Sequence, residues 1–301
     1  MRYIYSNTIL WAFLLTYSLH SFAAVVNQYN RIPFEKNSGL LLVNAVINGL
    51  EGKLVFDTGA DHILINNSEI KYTSHSETSF VSITGDKASS KIRLESFIMG
   101  AFRAKDLTAY AADLSLIEKH LGVKILGIFG AGLLDSELIE IDIKEGVIEI
   151  FSRKNMDSRF FKSMERFPVC FKNGIPLIEL NMNGESFKFL LDTGSSVSII
   201  DSAIVEQYPG HFMQTNKKFD LLTAASQSSD RYYYKSYGMS LASRHFSDLR
   251  VAVMDLSSVN NQLETPVSGI LSLEDLPFES IIIDYKKAWI YIKQLEAVAQ
   301  M

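Results

Sequence analysis

The sequence predicts an all-β chain built as two similar lobes, and three observations predict it. The tripeptide Asp-Thr-Gly occurs twice, as Asp57-Thr58-Gly59 and Asp192-Thr193-Gly194, 135 residues apart. Each copy ends an apolar run, Leu54-Val55-Phe56 or Phe189-Leu190-Leu191, so an acid stands where a buried strand breaks into a turn. An Asn-Gly pair precedes each acid by nine residues, Asn48-Gly49 and Asn183-Gly184. Between apolar runs Asn-Gly is the strongest short hairpin signal, so a β-hairpin feeds each Asp.

The remaining elements follow the same two-copy plan. Short apolar or alternating runs bounded by turn residues predict strands at 40–47, 54–56, 63–65, 91–99, 138–143 and 147–151 in the first copy. The second copy has them at 177–182, 187–191, 197–200, 232–241, 281–285 and 289–292, and 113–121 and 202–208 read as short helices. Gly39 and Gly174 each lie 18 residues before their acid. Downstream, Phe80-Val81-Ser82-Ile83-Thr84-Gly85 matches Phe219-Asp220-Leu221-Leu222-Thr223-Ala224 at a further offset of four. Asp113-Leu114-Ser115 matches Asp255-Leu256-Ser257, Gly127-Ile128-Phe129-Gly130 matches Gly269-Ile270-Leu271-Ser272, and Ile141-Asp142-Ile143 matches Ile283-Asp284-Tyr285, all at seven. A stepwise constant offset describes a duplication with insertions confined to loops, and its period is too long for a solenoid. The expected lobes are 30–151 and 169–295. Between them 152–168 has little strand character, and Asp157 and Glu165 interrupt its basic residues, which suits a solvated linker.

Composition narrows the function classes. A chain of 301 residues with 47% hydrophobic residues can bury a core in each of two lobes, and a net charge of −5 gives no reason to expect nucleic acid as a partner. The 6 histidines show neither metal-ligand spacing nor a nucleophile partner, so no metal and no cofactor is expected. The lone Cys170 excludes an intramolecular disulfide, and its setting, Pro168-Val169-Cys170-Phe171, suits a buried, inert thiol. Residues 1–23 have the form of a secretory leader: Arg2, an apolar run over 8–19 and small residues at Ser21-Phe22-Ala23. An uncleaved anchor reaching Val26 is the alternative. Either way the chain is expected to be exported, periplasmic or secreted, with no membrane contact beyond that segment.

Two carboxylates about 3 Å apart cannot both ionise, so they share a proton and titrate as a pair. One member can then accept a proton from a water while the other donates to a carbonyl. Asp57 and Asp192 are therefore the candidate acid/base pair. Thr58 and Thr193 suit the second position because a hydroxyl can satisfy buried backbone groups, and Gly59 and Gly194 the third because the turn brings its amide close to the carboxylate. The plain alternative, an Asp capping an ordinary turn, predicts neither the repeated apolar run nor the matched Asn-Gly spacing.

These motifs resemble the aspartic protease clan, the pepsin-like and retropepsin-like enzymes, over roughly residues 37–293. A bacterial-type single-chain member with both lobes is the nearest description. The resemblance implies a two-lobed acid-protease fold whose acid loops meet across a pseudo-twofold axis, followed in each lobe by a hydrophobic-hydrophobic-Gly element. Ile125-Leu126-Gly127 and Ile128-Phe129-Gly130 are both candidates for it in the first lobe. Its counterpart in the second lobe ends in Ser272, whose side chain is expected to crowd the loop beside Asp192. Ala60 and Asp61 look retropepsin-like, whereas Ser195 looks pepsin-like and offers a hydroxyl to its carboxylate. The resemblance places hairpin tips over the cleft at Thr84-Gly85 and Thr223-Ala224, where an ordinary turn is the alternative. It gives Asp61 a contact with substrate backbone, against a plain surface carboxylate. Tyr232, Tyr233 and Tyr234 suit an edge strand better than an aromatic substrate wall. The implied activity is an aspartic endopeptidase acting on peptide or unfolded protein, for which a monomer suffices; the alternative is a catalytically silent peptide-binding protein on the same scaffold.

Overall fold

The computed structural model describes residues 7–11, 29–70, 74–82, 85–151, 161, 164–223, 227–261 and 265–294. The described chain is dominated by strands, with a few short helices. Of the expected leader only Asn7–Trp11 is described, as a strand parallel to part of Phe212–Thr223, and the rest lies outside the described residues. Among the described residues no helix is long and apolar enough to cross a membrane.

Each half opens with a pair of tight hairpins. At Ser38-Gly39, Asn48-Gly49, Asn173-Gly174 and Asn183-Gly184 both turn residues have positive φ, between 50° and 84°. This is the turn whose twist matches that of the flanking strands, and glycine takes its second position without a Cβ penalty. The second hairpin joins Leu40–Ile47 to Leu50–Asp57 in the first half and Ile175–Met182 to Glu185–Asp192 in the second. In both halves the last four residues of the acid-bearing strand are buried, which accounts for their continuous apolar run.

The Gly-Ile-hydrophobic segments then insert as short strands beside the acids. Gly127–Gly130 runs parallel to Leu54–Asp57 and antiparallel to Ile63–Asn66, with Asp57 opposite Gly130. Gly269–Ser272 repeats this against Phe189–Asp192 and Ser198–Asp201, with Asp192 opposite Ser272. The register settles the ambiguity in the first half: Ile128-Phe129-Gly130 is the element equivalent to Ile270-Leu271-Ser272.

A six-stranded antiparallel layer ties the halves together, in the order Glu165–Pro168, Trp289–Gln294, Phe278–Asp284, Leu138–Asp142, Val147–Phe151 and Tyr29–Asn37. At its centre Glu140 pairs with Ile282, and equivalent residues lie on either side of that pair, so the pseudo-twofold axis passes through it. Glu165–Pro168 corrects the expectation for the linker. Phe167 is buried while Arg166 reaches over the Trp289 ring at 4.6 Å, an inward-outward alternation that the charges of the segment conceal. Residues 152–160, 162 and 163 lie outside the described residues.

The main core draws on both halves, and each half adds a smaller cluster behind its acid loop. These two are built from equivalent residues: Leu40, Leu42, Val55, Leu64, Leu114, Ile117 and Ile128 in the first, and Ile175, Leu177, Leu190, Ile199, Leu256, Val259 and Ile270 in the second. Fully burying one such side chain contributes roughly 1.5–3 kcal/mol. The short helices also match. Asp113 accepts the Ser115 amide at 2.9 Å and Asp255 the Ser257 amide at 2.8 Å, so Ser115–Leu121 and Ser257–Asn260 are each entered through the same Asp turn.

Three local expectations are corrected. Cys170 is exposed, because Cys170–Lys172 is an edge strand and alternation turns the thiol outward while Val169 points in. Gln227–Ser236 is an interior strand, flanked by Phe212–Thr223 and Leu249–Met254, so the Tyr232–Tyr234 run does not line an edge. Its middle member Tyr233 is buried against Phe219, with ring centroids 4.7 Å apart. The strand expected to continue to Leu241 stops at Ser236 and resumes at Met239, with Gly238 at φ 77° between them.

Candidate active site

The two Asp-Thr-Gly loops meet at the centre of the molecule, where Asp57 and Asp192 are both fully buried. The threonines lock the loops reciprocally. Thr58 N–H donates to Thr193 Oγ1 at 2.9 Å and Thr193 N–H to Thr58 Oγ1 at 3.0 Å. Each hydroxyl in turn donates across the axis, Thr58 to the Leu191 carbonyl at 2.8 Å and Thr193 to the Phe56 carbonyl at 2.7 Å. Four buried backbone groups are thereby satisfied between the lobes, and a network in which every member is bonded holds its geometry rigidly.

The glycines set the approach of the acids. Gly59 N–H donates to Asp57 Oδ1 and Gly194 N–H to Asp192 Oδ1, both at 2.7 Å. A Cβ on Gly59 would stand 2.6 Å from Asp192 Cγ, and one on Gly194 would overlap the Asp57 carboxylate. Each glycine is therefore pressed against the acid of the other lobe, and no side chain fits there. The remaining oxygens, Asp57 Oδ2 and Asp192 Oδ2, are buried without a hydrogen-bond partner among the described residues. Two carboxylates can satisfy each other only through a shared proton.

The electrostatics agree. Burial, and then the Asp192 charge, holds the Asp57 carboxyl well above the ordinary carboxylate range. Burial lifts Asp192 to about 6, while Asp57 and the amides of Gly194, Gly59 and Ser195 pull it the other way. Both carboxyls are thus held above the ordinary range, and their apparent pKa values belong to the pair.

The loop residues differ in how they support the acids. Ser195 does not offer its hydroxyl to Asp192: Oγ donates to the Val197 carbonyl at 2.6 Å, and only the amide serves the carboxylate. Ser272 does not crowd the loop. Its hydroxyl donates to the Ser195 carbonyl at 2.6 Å and accepts the Glu274 amide at 3.1 Å. Asp61 is not a surface carboxylate. It is 6% exposed and lies 2.5 Å from His62 Nδ1, a neighbour the sequence reading passed over although it is the next residue. His62 also packs edge-on to Tyr110, with ring centroids 5.2 Å apart.

The expected hairpin tips are partly placed. Ser74–Ser82 pairs with Gly85–Met99, Ser82 facing Gly85, and Phe212–Thr223 pairs with Gln227–Ser236, Leu222 facing Gln227. Thr84 and Ala224 lie outside the described residues. Among the described residues no cluster of His, Cys, Asp and Glu has the form of a metal site.

Comparison with known proteins points the same way for both lobes. Residues 43–133 match a family model described as aspartyl protease, and residues 178–263 match one described as gag-polyprotein putative aspartyl protease. No curated protein matches the chain. Among solved structures, the crystal structure of basic 7S globulin from soybean aligns with a TM-score of 0.54 over 88% of this chain and 96% of that one. At 11% identity this similarity concerns the fold alone. The all-β, two-lobed acid-protease architecture and an Asp-Thr-Gly loop within each matched segment have one reading: the chain belongs to the aspartic protease clan.

Proposed function

We propose that this protein is an aspartic endopeptidase that hydrolyses peptide bonds with a water activated by Asp57 and Asp192. The observation that carries the reading is the apposition of two fully buried carboxyls, in contact with each other, whose second oxygens have no other partner among the described residues. The ionised member accepts a proton from the water as its oxygen bonds to the scissile carbonyl carbon. The protonated member donates to the carbonyl oxygen, giving a neutral tetrahedral diol. Collapse breaks the C–N bond, the amine takes a proton from the dyad and the second hydroxyl proton returns to it, so the pair ends with the single proton it began with. The reciprocal threonine bonds keep the acids in place through these transfers.

Substrate is an extended peptide segment, since the clan's cleft takes unfolded chain. Both acids reside in one chain, which supports activity as a monomer. Export to the periplasm or the exterior is part of the reading and rests on the leader-like residues 1–23. The rival is a silent peptide-binding protein; the intact dyad and the fitted Ser272 hydroxyl favour the enzyme.

The test is cleavage of an unstructured protein by the purified chain from about pH 3 to pH 8, with and without a pepstatin-type inhibitor. Expected are inhibitable cleavage, a bell-shaped profile with an acidic optimum extending toward neutrality, and a rate proportional to enzyme concentration. Peptide binding without cleavage at any pH would establish the silent binder. A rate rising with the square of concentration would show that two chains build the site.

A further inference from the structure

Behind Asp192 runs a chain of buried polar groups without a counterpart among the described residues of the first lobe. Ser195, Ser198 and Ser272 are all fully buried. Ser272 Oγ donates to the Ser195 carbonyl at 2.6 Å, and Ser272 N–H donates to Ser198 Oγ at 3.1 Å. Ser198 N–H donates to Asp275 Oδ2 at 2.7 Å, and the Ser198 hydroxyl also serves that carboxylate. Arg250 Nη2 closes the chain on Asp275 Oδ1 at 3.2 Å, its guanidinium lying 5.3 Å over the Tyr233 ring. Through the internal repeat the corresponding residues of the first lobe are Ala60, Ile63, Gly130, Leu133 and Thr108. None of the first four can enter such a chain.

The backbone geometry shows what the hydroxyl does. In the first lobe Gly132 N–H donates straight to the Ala60 carbonyl at 3.1 Å. In the second, the equivalent groups are Glu274 N–H and the Ser195 carbonyl, and the Ser272 hydroxyl stands between them. Ser195, whose own N–H serves Asp192, is thus held through its carbonyl by a side chain and not by backbone contact. The charged groups around this arrangement are Asp57 facing Asp192, Arg250 on Asp275, and Lys36 of the first lobe paired with Glu274 at 2.5 Å.

Taking the proposed peptidase activity as its basis, we infer that Ser272, Ser198 and Asp275 are positioning residues: they hold the backbone of Ser195 by its carbonyl so that its N–H, across the Cα, stays aimed at ionised Asp192. They touch neither substrate nor reacting atoms, and Arg250 anchors the outer end. The arrangement makes the two acids inequivalent, with Asp192 the better supported as a carboxylate.

The experiment uses the whole chain and two readouts. In the first, Ser272→Gly and Asp275→Asn should each lower kcat by about tenfold with KM little changed, since misplacing a catalytic group costs rate more than binding. Ser272→Thr, which keeps the hydroxyl, should restore most of the rate. The second readout needs no catalysis: carboxyl NMR titration of Asp192 in the Asp57→Asn background, and of Asp57 in the Asp192→Asn background. Losing the amide's support raises a carboxyl pKa. Ser272→Gly should therefore move the Asp192 titration upward and leave that of Asp57 in place. Unchanged Asp192 titration, or equal shifts for both acids, would overturn the inference. If the wild-type chain cleaves nothing at any pH, the peptidase reading fails while the titrations still decide the positioning role. Should Ser272→Gly not fold, the exposed Arg250→Ala gives the same titration arm, with a smaller upward shift expected and none overturning the idea.

Discussion

The two acid loops reach nearly the same geometry by different chemistry. Around Asp57 the support is apolar and close: Ala60 and Ile63 are fully buried, and Gly130 lies so near the backbone of His62 and Ala60 that a Cβ would overlap the His62 carbonyl. Around Asp192 the loop stands off enough to admit Ser272, and hydrogen bonds through Ser198 and Asp275 take over. The cores differ in the same sense. Phe56, Phe97, Phe102 and Phe129 stack together in the first lobe, whereas Leu191, Met239 and Leu271 occupy the positions of Phe56, Phe97 and Phe129 in the second. A duplicated fold therefore preserves backbone register while each copy changes how its loop is held, so a residue tolerated in one lobe is not tolerated in the other.

The largest effect should treat the lobes alike. Asp57→Asn and Asp192→Asn should each reduce turnover by on the order of a thousandfold or more, because acid and base act as one unit. Single-turnover cleavage with contaminating proteases excluded is the measurement, and near-normal activity of either variant would break the dyad assignment.

Exchanging the supports should separate the lobes. Gly130→Ser should destabilise by about 2–4 kcal/mol, since its side chain meets backbone that cannot yield. The reverse change, Ser272→Gly, introduces no clash and should cost less, about 1–2 kcal/mol for the two hydrogen bonds of its hydroxyl. Denaturant midpoints compare the two; equal costs would mean that the loops are interchangeable.

The dyad should also show itself in stability. Both folded-state pKa values are raised, Asp57 by burial and the Asp192 charge and Asp192 by burial to about 6. The contribution of the pair is therefore fully present below the ordinary carboxylate pKa of about 4 and is lost as pH rises through the folded values. Asp57→Asn removes one of the two mutually repelling carboxyls, so at neutral pH it should melt a few degrees above the wild type, a difference that vanishes near pH 3, at roughly 2–4 °C per kcal/mol for a chain of this size. Thermal melts across that range read it directly, and a variant less stable at neutral pH would contradict the shared proton.

The smallest effect concerns the hairpins. Asn183→Ala should cost about 1 kcal/mol, because alanine resists the positive φ of 55°. Asn48→Ala should cost somewhat more, since Asn48 Oδ1 also accepts the Ser96 amide at 3.1 Å. Identical melting shifts for the two would remove this asymmetry.

Much of the site was legible beforehand because its signals are local and repeated. An acid after a buried run, an Asn-Gly nine residues earlier and an Asp-Leu-Ser turn are written as short motifs, and duplication let each copy check the other. What escaped was carried by single residues. Cys170 sits among apolar neighbours, and only the edge position of its strand turns it to solvent. The Arg166-Phe167 alternation was masked by charge, and its strand exists because Trp289–Gln294 offers it a partner. Ser198 and Asp275 stood out only as polar residues where the first copy has Ile63 and Leu133, a signal visible once the repeat is aligned position by position.

By itself the sequence determined the duplication, the β character and the two acids, because these depend on periodicity and turn chemistry within a few residues of chain. The tertiary structure alone decided which groups meet: the cross-axis threonine bonds, the glycine pressed on the opposite carboxylate, and the polar chain behind Asp192. Those contacts join residues some 70 to 137 positions apart. Their existence depends on how two sheets close over a shared core, and no local pattern encodes that closure.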